Sequence, residues 1–242
     1  MLKKSKKKKT DNTSGALTDE IHFGVIESYK EIRANINFAV TSKGCKKVLI
    51  CSAYNGEGKT TVCANLAITI AQTGASVALI DCDLRKPKIH KLLDADNESG
   101  VSNYLSNMAE FNEILKDTEV PNLRIITSGS IPPNPAELLA TPKMADLLSK
   151  TGRIAEYIII DTPPVCIVSD ALPMSKLCDG VILTVNHMET KHPHIKDALE
   201  KMNFAGANVV GMILNKIKIS RTYKSYKKYG KYLYNNNDAE KY

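Results

Sequence analysis

The chain has 242 residues, of which 43% are hydrophobic and 6% aromatic. This length and composition suit one α/β domain with a full hydrophobic core, and they exclude a fibrous or wholly disordered protein. Its apolar runs fall short of the roughly 18 to 20 residues that span a bilayer, and the N-terminal lysines lead into no secretory signal.

Positive charge is concentrated at the two ends of the chain. The net charge is +7, from 33 Lys and Arg against 26 Asp and Glu. Residues 1–9 hold six lysines and residues 216–231 hold seven basic residues, and neither segment has an acid. The remainder has 20 bases and 26 acids, a net charge of −6. We therefore expect no nucleic-acid partner for the folded body, and any anionic partner should meet the ends.

In chain order, residues 1–20 are predicted to form a flexible basic tail, because lysines are followed by Ser, Thr, Asn and Gly. From Ile21 to Phe38, apolar residues recur every three to four positions, which predicts a helix with Phe38 on its apolar stripe. We assign residues 21–220 to one folded domain and residues 221–242 to a tyrosine-rich tail.

Six short apolar runs alternate with segments long enough for crossover helices. The runs are Val48–Cys51, Val77–Ile80, Leu123–Ile126, Tyr157–Ile160, Val181–Val185 and Val209–Leu214. Each is continuously apolar, which is typical of strands buried on both faces. The sequence therefore predicts an α/β fold with a largely parallel sheet and helices on both faces. In such folds, ligands bind at the carboxyl ends of the strands.

A glycine-rich loop joins the first strand to an apolar run, Val62 to Ala71, that predicts a helix. The loop residues are Asn55, Gly56, Glu57, Gly58, Lys59, Thr60 and Thr61. Backbone N–H groups of such a loop converge on phosphates, Lys59 would reach the β- and γ-phosphates, and the Thr60 hydroxyl would bind Mg²⁺. The leading glycine of the usual pattern is Ala53 here. We predict a P-loop NTPase-like domain that binds ATP and Mg²⁺ through these residues.

Carboxylates end two more of the predicted strands. Asp81 and Asp83 lie two positions apart after one strand, which places them on the same face, and Asp161 ends another. A lone carboxylate in such a place often only meets water. Three of them in a chain with a P-loop predict a site that holds Mg²⁺ and accepts a proton from a nucleophile.

Five segments together resemble the cytoplasmic bacterial tyrosine kinases, the P-loop kinases that govern capsular and extracellular polysaccharide synthesis. These segments are the loop at residues 56–61, the acidic motif at 79–87, the segment Pro-Pro-Asn-Pro-Ala-Glu-Leu-Leu at 132–139, the strand end at 160–164 and the tyrosine-rich tail. The similarity runs from about Glu27 to the C-terminus. The V-A-I-K, H-R-D and D-F-G signatures of eukaryotic-type kinases are absent from the sequence.

The resemblance implies roles for individual residues. The implied catalytic residues are Lys59, Asp81, Asp83 and Asp161. The implied metal ligands are Thr60, Asp81 and Asp161. One of the paired aspartates would be the base for the tyrosine hydroxyl, and Asn215 would contact the adenine.

The resemblance also implies partners. In the family an early helix carries E-x-x-R-x-x-R and packs subunits into a ring. Here the motif reads Glu27-x-x-Lys30-x-x-Arg33, and lysine keeps the charge without the planar guanidinium. The implied partners are further copies of the chain, a transmembrane modulator that activates it, and a cognate phosphotyrosine phosphatase. They would place the chain in the cytoplasm at the inner face of the cell membrane.

Six of the ten tyrosines lie in the last twenty residues, interleaved with lysines. The candidate phosphoacceptors are Tyr223, Tyr226, Tyr229, Tyr232 and Tyr234. Such a segment is also compatible with an amphipathic helix packed on the body or with a surface for single-stranded nucleic acid. Gly230 and Asn235–Asn237 disfavour a helix, and the P-loop in the same chain favours an acceptor tail.

Three functions remain open on these grounds. The main hypothesis is an ATP-dependent protein-tyrosine kinase that autophosphorylates its tail between subunits and regulates polysaccharide polymerisation and export. The main alternative is a ParA/MinD-like switch ATPase. Those ATPases carry a signature lysine five residues before the loop lysine, where this chain has Tyr54. A nucleotide-binding scaffold of a polysaccharide synthesis complex is the third, and the intact set of candidate catalytic residues argues against it.

Overall fold

A seven-stranded sheet forms the centre of the computed structural model, which describes residues 23–217. The strands are β1 (Lys46–Ser52), β2 (Val77–Asp81), β3 (Leu115–Asp117), β4 (Leu123–Ile126), β5 (Tyr157–Asp161), β6 (Gly180–Asn186) and β7 (Val209–Asn215). Their order across the sheet is β3-β4-β2-β5-β1-β6-β7. All neighbours run parallel except β3 and β4. The predicted parallel α/β sheet is confirmed.

Each of the six predicted apolar runs is a strand of this sheet. The seventh, β3, was not predicted because its three residues, Leu115-Lys116-Asp117, contain no apolar run. It pairs antiparallel with β4 at one edge of the sheet. A short charged strand is a common way to end a sheet, because it discourages pairing with another chain.

Helices cover both faces of the sheet. They are α1 (Phe23–Ala39), α2 (Lys59–Ala71), α3 (Ile89–Leu92), α4 (Val101–Leu105), α5 (Phe111–Ile114), α6 (Pro135–Leu139), α7 (Pro142–Gly152), α8 (Ala171–Ser175) and α9 (His192–Phe204). Helices α1 to α3 share one buried hydrophobic cluster with the sheet, and α4 to α9 share the other. The prediction of helices on both faces of the sheet is therefore confirmed, and α2 is buried along nearly its whole length.

The predicted first helix is present as α1, but the prediction for Phe38 is wrong. Its side chain is 84% exposed, whereas Tyr29, Ile36 and Val40 are buried. Two residues along an α-helix turn the side chain by about 200°. Because Ile36 faces the core, Phe38 must face away from it. The buried stripe follows the spacing of Tyr29, Ile32, Ile36 and Val40.

Both predicted tails, residues 1–20 and 221–242, lie outside the described residues, and so do the predicted domain boundaries. The candidate acceptor tyrosines lie there as well. Within residues 23–217, no helix combines the length and apolarity needed to cross a membrane.

Candidate active site

The glycine-rich loop lies between the carboxyl end of β1 and the start of α2, as predicted. The helix begins at Lys59, three residues earlier than the apolar run suggested. Gly56 and Gly58 have left-handed φ angles of 83° and 89°, which favour glycine. A Cβ atom on Gly58 would lie 2.1 Å from Nδ2 of Asn215. Ala53 is buried and has no positive φ, so the missing leading glycine does not disturb the loop.

Two side chains from the end of β7 hold the outer side of this loop. Asn215 donates from Nδ2 to the Glu57 carbonyl at 2.9 Å, and Lys216 donates from Nζ to the Gly56 carbonyl at 2.7 Å. In a trans peptide the N–H points opposite to the carbonyl. Fixing both carbonyls outward therefore turns the N–H groups of Glu57 and Gly58 to the opposite side, where an anion binds.

Sequence reasoning missed Lys216, although its position directly after a strand end that carries Asn215 was a usable signal. The structure places the Asn215 amide against the P-loop backbone. Its predicted contact with adenine stays a prediction.

The side chain of Glu57 is turned away from the phosphate side and is 4% exposed. Its carboxylate accepts the backbone N–H of Tyr54 at 3.0 Å, and it accepts a hydrogen bond from the Thr190 hydroxyl. The Glu57 side chain therefore links the loop to the segment before α9. Only the backbone N–H of Glu57 is left to bind an anion.

Lys59 brings the predicted catalytic groups together. Its Nζ lies 2.9 Å from Oδ2 of Asp83 and 3.4 Å from Oδ1 of Asp161. Burial lowers the pKa of Lys59, but the charges of Asp161 and Asp83 outweigh this, so that the net pKa is raised and the ammonium stays charged. A single cation thus bridges two strand ends at the mouth of the P-loop.

Asp81 and Asp83 differ in what they can reach. Asp81 is fully buried, and its carboxylate accepts the backbone N–H groups of Asp83, Lys88 and Ile89, each at 3.1 Å. Burial and the neighbouring Asp161 raise its pKa to about 7, against the hydrogen bond from Ile89. Asp83 instead lines the open cleft. Of the two, Asp83 is the one placed to meet a substrate.

One buried oxygen at this site fits a magnesium ion. Oδ2 of Asp161 is buried and has no hydrogen-bond partner in the part of the chain that the structure describes, although Oδ1 contacts Lys59. The Thr60 hydroxyl lies beside the same carboxylate and lowers its pKa. Burial raises the pKa of Asp161, while Lys59 lowers it. Mg²⁺ typically takes one or two carboxylates together with phosphates and waters, so Thr60 and Asp161 suit it.

A cleft of about 950 Å³ opens over these groups. One part of its lining is the P-loop, and another is the stretch that follows Asp83. Arg85 in that stretch forms a two-point ion pair with Asp170 at 2.8 and 3.1 Å. Asp170 has no exposed surface and precedes α8, so the pair fastens the acidic motif at residues 79–87 to the start of α8.

The predicted interface residues lie on α1, where they make contacts within the chain. Lys30 pairs with Glu27 at 2.7 Å, and both side chains are roughly half exposed. Arg33 donates to the Thr69 carbonyl in the last turn of α2. Their role in oligomerisation stays a prediction.

Comparison with known proteins gives this site a family. Residues 48–237 match the CobQ/CobB/MinD/ParA nucleotide-binding domain. The chain is 34% identical over 224 residues to the putative tyrosine-protein kinase CapB of Staphylococcus aureus, covering 93% of this chain and 98% of CapB. It is 37% identical over 195 residues to the tyrosine-protein kinase YwqD of Bacillus subtilis, covering 81% and 82%. The chain belongs to the bacterial tyrosine-protein kinases.

Solved structures agree with this assignment. The crystal structure of the chimerical protein CapA2B2 aligns with a TM-score of 0.76 at 36% identity, covering 80% of this kinase and 85% of that chain. The predicted P-loop fold and the family resemblance are therefore confirmed. MinD and ParA ATPases share the nucleotide-binding domain, so the fold by itself does not separate a kinase from a switch ATPase.

Proposed function

We propose that this kinase transfers the γ-phosphoryl group of ATP to tyrosines in the C-terminal segment of a neighbouring copy. The observation that carries the proposal is the position of Lys59 between Asp83 and Asp161 at the mouth of the P-loop. The acceptors are supported by the sequence, because tyrosines recur every three residues from Tyr223 to Tyr232.

Transfer proceeds by in-line attack of a tyrosine oxygen on the γ-phosphorus. The new O–P bond forms as the bond to the β,γ-bridging oxygen breaks, and ADP leaves. Lys59 and the loop N–H groups of Glu57 and Gly58 stabilise the negative charge on the phosphoryl oxygens. Asp83 accepts the phenol proton, since its carboxylate lines the cleft. Asp81 positions Asp83 by accepting its backbone N–H.

Thr60 and Asp161 are the residues proposed to hold Mg²⁺, which when bound supplies positive charge to the phosphates. Asp81 was also predicted as a ligand. Its carboxylate already accepts three backbone N–H groups. We therefore propose that Asp81 fixes the backbone around Asp83 and does not bind the metal. Asn215 is proposed to support the nucleotide through the P-loop, in addition to its predicted contact with adenine.

We also propose the wider setting of the kinase. It works with a transmembrane modulator at the inner face of the cell membrane, in a homo-oligomer ring that involves Glu27, Lys30 and Arg33, and a phosphotyrosine phosphatase reverses its reaction. Through this cycle it regulates capsular or exopolysaccharide polymerisation and export. Support comes from the resemblance of the chain to kinases of that kind and from the half-exposed charges of α1.

The test is intact mass measurement with peptide mapping after incubation with ATP and Mg²⁺. The kinase is assayed with and without the cytoplasmic segment of a modulator, beside Lys59→Met. We expect several added phosphates, all mapping to residues 223–242, and none in the variant. Mixing a Lys59→Met chain with active kinase then tests transfer between copies, because the variant can be phosphorylated only by its neighbour.

Hydrolysis of ATP with no phosphotyrosine, with or without the modulator segment, would contradict the proposal. That outcome would favour the switch ATPase. Phosphotyrosine that persists in Lys59→Met would instead contradict the assigned role of Lys59 and leave the activity itself standing.

A further inference from the structure

A run of positive charge lines the same cleft as the P-loop. Residues 85–91 read Arg-Lys-Pro-Lys-Ile-His-Lys, and we call them the basic strip. Every member except Ile89 lines the cleft. Lys86, Lys88 and Lys91 are exposed, and within residues 23–217 no carboxylate lies within ion-pair distance of their ammonium groups. The ammonium groups of these three lysines are therefore available to bind an anion.

The backbone of the basic strip is fixed by buried carboxylates. Asp81 accepts the N–H groups of Lys88 and Ile89, and Asp83 accepts the N–H of Lys86 at 3.1 Å. Asp170 holds Arg85 at the start of the strip through the two-point ion pair. Burying carboxylates is costly unless they are fully hydrogen-bonded. The fold thus holds this segment in place while its lysine side chains stay free.

The nucleotide does not account for these lysines. The P-loop N–H groups and Lys59 already serve the triphosphate, as in other P-loop proteins. His90, also in the basic strip, has a buried Nδ1 without a hydrogen-bond partner in the described part of the chain. The strip therefore has spare capacity for a second anion beside the γ-phosphate position.

We propose that the basic strip binds a phosphotyrosine already formed in the C-terminal segment of a second copy, while the next tyrosine enters the active site. This inference rests on the proposed function and adds a subsite to it. Tyrosines every three residues put neighbouring acceptors about 10 Å apart in an extended chain. A cleft of about 950 Å³ has room for both groups.

The charges of the basic strip and of the acceptor segment predict how the rate of transfer changes from the first phosphate to the next. Before reaction the acceptor segment carries positive charge, with Arg221, Lys224, Lys227, Lys228 and Lys231 among its residues. The basic strip repels such a segment. Each phosphorylation adds about −1.5 to −2 charges. The five basic residues still outweigh one phosphate, but the phosphotyrosine is a local anion that the basic strip attracts. The first transfer is therefore the slow one, and later transfers on the same segment are faster.

The test compares two synthetic peptides that span residues 221–235, one unmodified and one carrying phosphotyrosine at position 229. The second leaves acceptors on both sides of the phosphate. Full-length kinase phosphorylates each peptide with ATP and Mg²⁺, with the modulator segment present. We expect kcat/KM to be roughly tenfold higher or more for the phosphorylated peptide, the size of one charge-assisted contact.

Lys88→Glu with Lys91→Glu should bring that ratio close to one or below. The milder pair Lys88→Gln and Lys91→Gln should lower it partway. Lys43→Glu is the matched control, because Lys43 is exposed between α1 and β1 and lines no part of the cleft; this variant should keep the wild-type ratio. Thermal unfolding of each variant confirms that the fold is retained.

A binding measurement separates this inference from the proposed function. Fluorescence anisotropy without ATP should show that the phosphorylated peptide binds more tightly than the unmodified one, and that added salt or the Lys88 and Lys91 changes remove the difference. Equal binding of both peptides would overturn the subsite, even for an active kinase. A rise in the KM for ATP that is equal for both peptides would also overturn it, because the strip would then serve the nucleotide.

Discussion

The two ends of the parallel sheet treat their polar groups in opposite ways. At the amino end, Asp179 accepts the backbone N–H of Lys47 at 2.7 Å, and Glu156 accepts both donors of Ser76 at 2.8 and 3.1 Å. At the carboxyl end, a buried oxygen of Asp161 lacks a partner among the described residues. Within residues 23–217, Lys86, Lys88 and Lys91 of the basic strip also lack a carboxylate partner.

This difference separates stability from function. Polar groups that satisfy one another contribute to folding, and a ligand has nothing to add there. Polar groups held in place but left unpaired cost stability and gain their partners only when a ligand binds. Changes to the unpaired groups of the carboxyl end should therefore reduce activity, whereas changes to groups that satisfy one another, such as those of the amino end, should reduce stability.

The largest effect is expected from Lys59→Met. Removing this ammonium should lower phosphate transfer by about 10³-fold, because it takes away a preorganised charge at the transferring phosphoryl group. The measurement is phosphotyrosine formed per kinase per minute. Lys47→Met, a lysine at the amino end of β1, is the control and should keep wild-type activity, because its ammonium pairs with Asp179 at 4.0 Å, at the end of the sheet away from the P-loop. Comparable losses in the two variants would contradict the division between the ends.

Arg85→Met should be the most destabilising of the single changes considered. It leaves the fully buried Asp170 without its cation, at a cost of about 3 kcal/mol in the free energy of unfolding. Asp170→Ala should cost less, because the Arg85 side chain is 41% exposed and stays hydrated. Urea unfolding measures both. The double variant should be more stable than Arg85→Met alone, and the opposite order would show that Arg85 stabilises the fold by other contacts.

Asn215→Ala should weaken nucleotide binding by about five- to tenfold. Losing one hydrogen bond of about 1 kcal/mol to the Glu57 carbonyl loosens the loop backbone, while Lys59 and Thr60 stay in place. A fluorescent ATP analogue titrated into the kinase reports the dissociation constant. Asn208→Ala is the comparison at the amino end, where its amide donates to the Asp179 carbonyl. A nucleotide affinity that is unchanged in Asn215→Ala would remove Asn215 from the site.

The smallest effect is expected from Asp179→Ala. It removes the acceptor for the Lys47 N–H and should lower the free energy of unfolding by about 1 kcal/mol. Kinase activity should not change, because Asp179 lies at the opposite end of the sheet from Lys59. A loss of activity without a loss of stability would contradict this reading of the amino end.

The strands and the loop could be predicted because their signals are local. Continuous apolar runs and a glycine-rich loop depend on neighbouring residues, and each predicted run is a strand. Strand β3 was not predicted, because three residues of which two are charged form no apolar run. Phe38 was wrongly predicted to face the core. The spacing of apolar residues shows that a helix has a buried face, but it does not show which residues at the margin of that face are buried.

The division of labour between Asp81 and Asp83 was beyond the sequence. Their spacing places both on one face, but it does not show which carboxylate will accept hydrogen bonds from the backbone that follows. The backbone N–H groups of Lys88 and Ile89 both donate to Asp81, whereas the Asp83 side chain lines the cleft. Likewise, the contacts of Asn215 and Lys216 join residues more than 150 positions apart, which no local pattern reveals.

The contact between Lys216 and the Gly56 carbonyl makes the root of the C-terminal segment part of the nucleotide site. Only Ile217 separates this lysine from residues 218–242, which carry the proposed acceptor tyrosines. By thermodynamic linkage, any force on that segment that displaces Lys216 lowers nucleotide affinity, and a bound nucleotide resists the displacement by the same free energy. In the proposed ring, a copy whose C-terminal segment is drawn into a neighbour's active site would thereby bind its own nucleotide less tightly. Each copy would then alternate between donating and accepting phosphate.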